Sequence, residues 1–381
     1  MGKTLDKTRL VYVCNDLQYF NRHWRHRALQ AVQQGYQVVV AVPQVHQNDE
    51  SALQWESFPL DCQGMNGLAE ARSLWYLRRL FQRIQPDLIH AITVKPNLHA
   101  GILARSMALP IVMSITGLGR LFTHDRFPLT WVRRRVLSLY RQIGKNRRAV
   151  FMFENQDDRQ LFLDQGIGVP ERCVRVPGAG VDMAIFYPQP EPDGVPVVML
   201  CARMLWDKGV GEFLEAARLL RYRGVACRCV LVGDPDAGNS SAIPLERLEA
   251  WHREGLVEWW GHREDIPHVL AQANLVCLPS SYREGIPRVL IEAAACGRAL
   301  VATDAPGCRE IVRDGENGLL IPMFDGGALA EAIQQLIRFP ELRLSMGRRG
   351  RQIAVADYGQ EVVVEQTLGV YRGLCHQCST K

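Results

Sequence analysis

Short runs of β-branched residues alternate with segments of helical periodicity from end to end of the chain. TRLVYVC, YQVVVAV, DLIHAI and LPIVMSI read as strands, with helices expected over about Arg22–Gln34, Leu68–Ile84 and Asn97–Met107. After Asp182 the chain becomes proline-rich at Pro188, Pro190, Pro192 and Pro196. The pattern then restarts with VPVVMLCA, a helix over about Val210–Arg221, VACRCVLVG, LVEWWG, ANLVCLP, RALVAT and NGLLIP. This alternation predicts an α/β fold of two doubly wound parallel-sheet domains, residues 1–182 and 183–358. Such domains bind ligands at the carboxyl ends of their strands, so the expected site is a cleft between the two.

With 381 residues, 47% hydrophobic and 22% charged, the chain has the composition of a packed globular protein, which excludes disordered and fibrous classes. Its longest uncharged stretch, Ala28–Asn48, contains six glutamines and a proline and cannot span a membrane. The N-terminus lacks the apolar region of a secretion signal, and Asp6 argues against myristoylation, so a cytosolic location is expected. Eleven irregularly spaced cysteines then read as reduced thiols. The CxxC at Cys375 and Cys378 has no second pair to complete a zinc site.

The formal charge of +5 divides unevenly: residues 1–182 hold 24 Lys+Arg against 15 Asp+Glu, and the remainder 21 against 25. The densest basic segment is Trp131–Arg148, with seven basic residues and no acid. Val132, Val136, Leu139 and Ile143 recur there at helical spacing, away from Arg134, Arg141 and Lys145. Either this is a domain helix with a solvated face, or that face, with Arg72–Arg83, rests on anionic lipid. No zinc finger or aromatic-interleaved motif supports a nucleic-acid partner.

Neither domain's first strand is followed by GxGxxG, which disfavours a nicotinamide dinucleotide. The most informative segment is Leu278–Pro322. A strand ends at Pro279, a loop carries Glu284 and Gly285, and Pro287 opens a helix expected to run to Cys296. Backbone N–H groups around Ile286, Arg288 and Val289 form an anion site suited to phosphate. Glu284 and Glu292 beside it suit sugar and ribose hydroxyls, although Glu284 alone reads as a helix cap. In CARMLWDKG, Arg203 follows a strand end and Lys208 precedes a helix; cations there oppose the helix dipole and call for an anionic partner.

These residues resemble a known family. GAGVDMAIFYP (Gly178–Pro188), ARMLWDKG (Ala202–Gly209), LVGD (Leu231–Asp234), WWGHREDIP (Trp259–Pro267) and Glu284-x7-Glu292 ending in EAAACG are similar to the retaining glycosyltransferases of group 1, glycosyltransferase family 4. The resemblance implies the GT-B fold, two Rossmann-like domains facing across a cleft, with the nucleotide sugar on the second. It also implies that residues 359–381, through VVVEQTLGVYRGL, return to the first domain. Arg203 and Lys208 become a diphosphate clamp, Glu284 meets the donor sugar, Glu292 the ribose, and Arg263 lies near the base. No metal or other cofactor is implied.

HAITVKPNLHAGILAR and SITGLGRLF resemble the subset acting on polyprenyl-diphosphate-linked sugars in bacterial surface glycan or glycoprotein assembly, with His23, Arg25, Lys95 and Asn97 as acceptor candidates. Two places depart from the family pattern. NDLQYF replaces the Gly-rich loop after the first strand, and Ile92 stands where a histidine is usual, with His90 two residues earlier, so no first-domain base is assigned. The implied activity is retaining transfer from a UDP-sugar, with a tilt toward UDP-N-acetylhexosamine, to a lipid-linked saccharide at the inner face of the cytoplasmic membrane. The alternatives are a nucleotide-sugar epimerase or hydrolase of the same fold and a non-catalytic membrane-surface binding protein.

Overall fold

The computed structural model describes residues 8–45, 52–61, 66–119, 122, 129–236 and 238–379, with side chains as far as Cys375. Asp6 and the Cys378 side chain therefore lie outside the described residues, while none of the nine cysteines with described side chains is joined in a disulfide. The chain forms two compact units, Met1–Ala179 with Glu361–Lys381 and Gly180–Gln360. The first crossing precedes Gly180 rather than following Asp182, because Val181 bridges to Gly359 and so belongs to the second unit.

In chain order the first unit contains β1 (Arg9–Val13), α1 (Leu17–His23), α2 (Arg25–Gln33), β2 (Gln37–Val42), β3 (Gln54–Ser57), α3 (Gly67–Ile84) and β4 (Leu88–Ile92). It continues with α4 (Val94–Ser106), β5 (Ile111–Ile115), α5 (Leu129–Gly144), β6 (Ala149–Phe153), α6 (Gln156–Asp164) and β7 (Cys173–Arg175). Its strands form one parallel sheet in the order β3-β2-β1-β4-β5-β6-β7. Helices cover both faces, as the unbroken apolar strands require.

The helix expected over Arg22–Gln34 is two helices. Asp16 caps α1 by accepting from the Tyr19 amide at 2.6 Å, so NDLQYF supplies a cap and a first turn. Trp24 breaks the path with non-helical dihedrals; its ring meets His90 edge-on and lies beneath the Arg27 guanidinium at 4.2 Å. In α5 the buried stripe is Val136, Leu137, Tyr140 and Ile143, and Leu139 faces outward, contrary to the sequence reading.

The second unit contains β8 (Val197–Cys201), α7 (Val210–Tyr222), β9 (Arg228–Val232), α8 (Leu245–Arg253), β10 (Glu258–Trp259), α9 (Ile266–Ala271) and β11 (Leu275–Leu278). It ends with α10 (Arg288–Ala295), β12 (Ala299–Thr303), α11 (Cys308–Ile311), β13 (Gly318–Ile321), α12 (Gly326–Arg338) and α13 (Pro340–Tyr358). The sheet is parallel, ordered β10-β9-β8-β11-β12-β13. The last described helix, α14 (Gln360–Ser379), packs Val363, Val364, Leu368, Tyr371 and Leu374 into the first unit's core.

Tyr371 completes a buried polar chain there. Its hydroxyl lies 2.8 Å from Tyr12 Oη and 2.5 Å from His90 Nδ1, and His90 Nε2 lies 2.7 Å from Ser114 Oγ. His90 is fully buried, and burial holds its pKa well below 6.5, with the Arg27 charge adding to the effect. The folded state therefore keeps His90 neutral, while the unfolded chain takes up a proton below about pH 6.5. Stability is complete above that pH and lost as pH falls, by up to about 1.4 kcal/mol per unit. Urea titrations between pH 7.5 and 5 should show this slope in the parent and a flatter one in His90→Gln, even though the variant starts less stable.

Candidate functional site

In the second unit the strand order reverses between β8 and β11, and the carboxyl ends of these neighbours open the crevice where ligands of open parallel sheets bind. The segment after β8 is laced to its surroundings by backbone bonds: Ala202 N to Val232 O at 3.0 Å, Met204 N to Asp234 O at 2.9 Å and Trp206 N to Ser241 O at 2.8 Å. Gly209 then caps the start of α7 at φ 77°, and a Cβ there would stand 2.0 Å from Pro279 O. Only glycine allows both that dihedral and that approach. The contact sets Lys208 against the loop that follows β11.

Lys208 Nζ meets Glu284 Oε2 at 2.5 Å, both side chains mostly shielded at 13% and 16% exposure. Ser280 Oγ, 3.0 Å from Glu284 Oε1 and 3.2 Å from the Asp207 carbonyl, fixes the other carboxylate oxygen. Ser280 was not among the sequence candidates; its position directly after Pro279 at the strand end was the available signal. Burial, and secondarily the Glu284 charge, push the Cys308 thiol up to about 12.

Arg203 is 59% exposed, and its NH1 reaches Asp236 Oδ2 at 2.6 Å. Asp236 also escaped the sequence reading, although the acidic DPD after LVG marked it. Glu292 is largely buried on α10 and pairs with Arg288 Nε one turn earlier at 2.7 Å. Burial and then the Glu292 charge push the Cys201 thiol up to about 12. The N-terminus of α10 has Pro287 as its N-cap and no side-chain cap bond. Ile286 and Val289 pack into the apolar core with their side chains. Gly285 presents its carbonyl to Gly307. Arg263 is held by its neighbour Asp265 through Nε at 2.7 Å and NH2 at 2.6 Å.

The site thus joins Lys208, Glu284 and Ser280 in direct contact, with Glu292 on the helix that follows the Glu284 loop and Arg203 engaged by Asp236. A shielded lysine and an exposed arginine, each held by a carboxylate, can exchange those partners for a diphosphate, which offers more charge and more acceptor oxygens.

The first unit's candidates have separate surroundings. His23 ends α1 with its ring 4.5 Å from Tyr19, and Arg25 opens α2 with NH1 3.5 Å from Asn21 Oδ1. Lys95 Nζ binds Glu70 Oε1 at 2.7 Å. Asn97 is fully buried and donates to Ser114 O at 2.8 Å, so it ties α4 to β5 instead of lining a surface. His90 serves the buried chain described above.

Residues 195–338 match the family model "Glycosyl transferases group 1", and residues 9–146 match "Glycosyl transferase 4-like". The chain is 29% identical over 321 residues to the N,N'-diacetylbacillosaminyl-diphospho-undecaprenol alpha-1,3-N-acetylgalactosaminyltransferase of Campylobacter jejuni, spanning 81% of this chain and 82% of that protein. It is 33% identical over 181 residues to the alpha-D-kanosaminyltransferase of Streptomyces kanamyceticus, spanning 47% of this chain and 46% of that protein. Among solved structures, sucrose-phosphate synthase from Thermosynechococcus elongatus superposes with TM-score 0.78 at 20% identity, over 96% of this chain and 99% of that one. Anabaena Alr3699/HepE in complex with UDP gives 0.76 at 18%, over 96% and 100%. These likenesses identify the fold as GT-B.

Proposed function

Because the chain belongs to the group 1 glycosyltransferases, we propose that it transfers a sugar, with retention of configuration, from a UDP-sugar to a polyprenyl-diphosphate-linked saccharide. The observation that carries this reading is the Lys208–Glu284–Ser280 contact at the β8 and β11 ends. When donor binds, Lys208 passes from Glu284 to the diphosphate, and Glu284 is released to accept hydrogen bonds from sugar hydroxyls. Arg203 leaves Asp236 for the same diphosphate, and Glu292 meets the ribose.

The bond from the anomeric carbon to the diphosphate oxygen breaks as the acceptor oxygen bonds the same face. The hydroxyl proton passes to the departing oxygen, whose growing charge Lys208 and Arg203 neutralise. The two cations supply this stabilisation without a metal. The resemblance to a transferase named for a diphospho-undecaprenol sugar favours a UDP-N-acetylhexosamine donor and a lipid-linked acceptor. In this reading the basic first unit takes the acceptor at the inner face of the cytoplasmic membrane. Among the described residues no helix is long and apolar enough to cross a membrane.

Labelled UDP-N-acetylgalactosamine and UDP-N-acetylglucosamine, each incubated with and without a polyprenyl-diphosphate-linked sugar, test the proposal. Lipid-borne product should form only with acceptor, in the donor's anomeric configuration by NMR and at the same rate in EDTA. Free sugar or an epimerised donor appearing equally without acceptor would overturn it.

A further inference from the structure

We propose that the outer surface of the α3–α4–α5 layer is a docking face for an anionic lipid bilayer, seated by two arginine-capped tryptophans. The inference rests on the lipid-linked acceptor reading above and deepens it by naming the surface that meets the membrane. The three helices lie on one face of the first sheet, sharing a core through Leu77 and Phe81 of α3, Leu103 of α4, and Val136 and Tyr140 of α5. The middle helix packs against both others. Gly101 permits this closeness, since a Cβ there would stand 2.8 Å from Ile143 Cδ1.

The sides of the outer helices turned away from this core are unusual. Trp75 on α3 is 48% exposed with the Arg79 guanidinium 3.9 Å over its ring, and Trp131 on α5 is 51% exposed with Arg135 at 4.9 Å. Each pair is spaced by four residues, so one turn presents an indole and its cation together. Leu68, 82% exposed, extends the α3 stripe, and Ile102 adds an exposed aliphatic on α4.

The three helices together hold ten Lys+Arg and one acid, Glu70. That acid binds Lys95 at 2.7 Å and His99 Nε2 at 2.6 Å, so the layer carries a strong positive excess. Exposed apolar area and unbalanced positive charge on the same helices fit one environment, the headgroup level of an anionic membrane. Tryptophan partitions to that level and arginine finds phosphate there.

Co-sedimentation of the full chain with vesicles of pure phosphatidylcholine, and with vesicles of about one-third phosphatidylglycerol, reads the surface directly. Binding to the anionic vesicles alone is expected, weakening as salt rises. The double variant Trp75→Ser with Trp131→Ser should lose about tenfold or more of the partition coefficient, and Arg134→Glu about fivefold, with thermal midpoints unchanged. The tryptophan variant should keep its rate on a short-chain, water-soluble acceptor and lose rate only on one embedded in vesicles.

Equal binding to neutral vesicles, no binding, or full binding by the double variant would overturn the docking face. A self-association that the tryptophan variant abolishes would assign the patch to a second copy and overturn it equally. Failure of transfer on every acceptor, with vesicle binding as expected, would instead count against the transferase reading.

Discussion

Arg203→Ala should lower kcat and kcat/KM together by about 10²–10³-fold while leaving the thermal midpoint where it is. The two expectations have separate causes. The guanidinium is 59% exposed and its ion pair to Asp236 is of the solvent-screened kind that contributes about 0–1 kcal/mol to stability. Its proposed work is confined to the moment when the diphosphate departs, where loss of one preorganised charge raises the barrier by about 3–4 kcal/mol. Steady-state kinetics with calorimetry separates the two, and unimpaired turnover would remove Arg203 from the clamp.

Lys208→Ala provides the contrast. It loses transfer to a similar extent, but it also leaves the shielded Glu284 carboxylate without its cation, a loss of about 1–3 kcal/mol. Adding Glu284→Gln should restore the midpoint and not the rate.

Gly307→Ala should be severely damaging for a change of a single methyl group. The glycine has φ −70°, a dihedral that alanine adopts freely, so the penalty is one of space alone. A Cβ would stand 1.7 Å from Gly285 O and 2.8 Å from Glu284 O, both backbone atoms that cannot rotate aside. The loop carrying Glu284 must therefore shift as a body, parting the carboxylate from Lys208 and Ser280. A destabilisation of about 3 kcal/mol follows, on the order of a 10 °C fall in midpoint for a domain of this size, with loss of turnover. A midpoint within a degree or two of the parent would show that the loop absorbs the methyl group.

Most strands and their parallel sense were legible because they are buried on both faces, so VVVAV and VVMLC announce themselves without reference to partners. The half-exposed β3 and β7 carry no such run and went unread, as did the buried β6. The break at Trp24 was not legible, since helical periodicity runs through it and the cause is a ring packed on His90, distant in sequence. The outward turn of Leu139 was hidden for a similar reason: several apolar residues of α5 could form a stripe, and the sheet selects Leu137 and Tyr140.

At the site, residue types and strand-end positions pointed to Lys208 and Glu284 separately. Their contact spans 76 positions and depends on the Gly209 approach to Pro279, which local pattern does not encode. His90 shows the opposite limit, a residue near a position of catalytic interest whose partner Tyr371 lies 281 positions away in a closed chain of hydrogen bonds.

That same tyrosine makes the order of synthesis matter. The first sheet emerges from the ribosome early, yet the face carrying Leu10, Tyr12, Val38 and Val40 is covered in part by α14. The intervening unit must be translated before that cover exists, which at ordinary elongation rates leaves the nascent sheet partly bare for about 10–40 s. The second unit, continuous in sequence, is free to reach its native state inside this interval, so production of intact protein should depend on chaperones that shelter the waiting amino-terminal half.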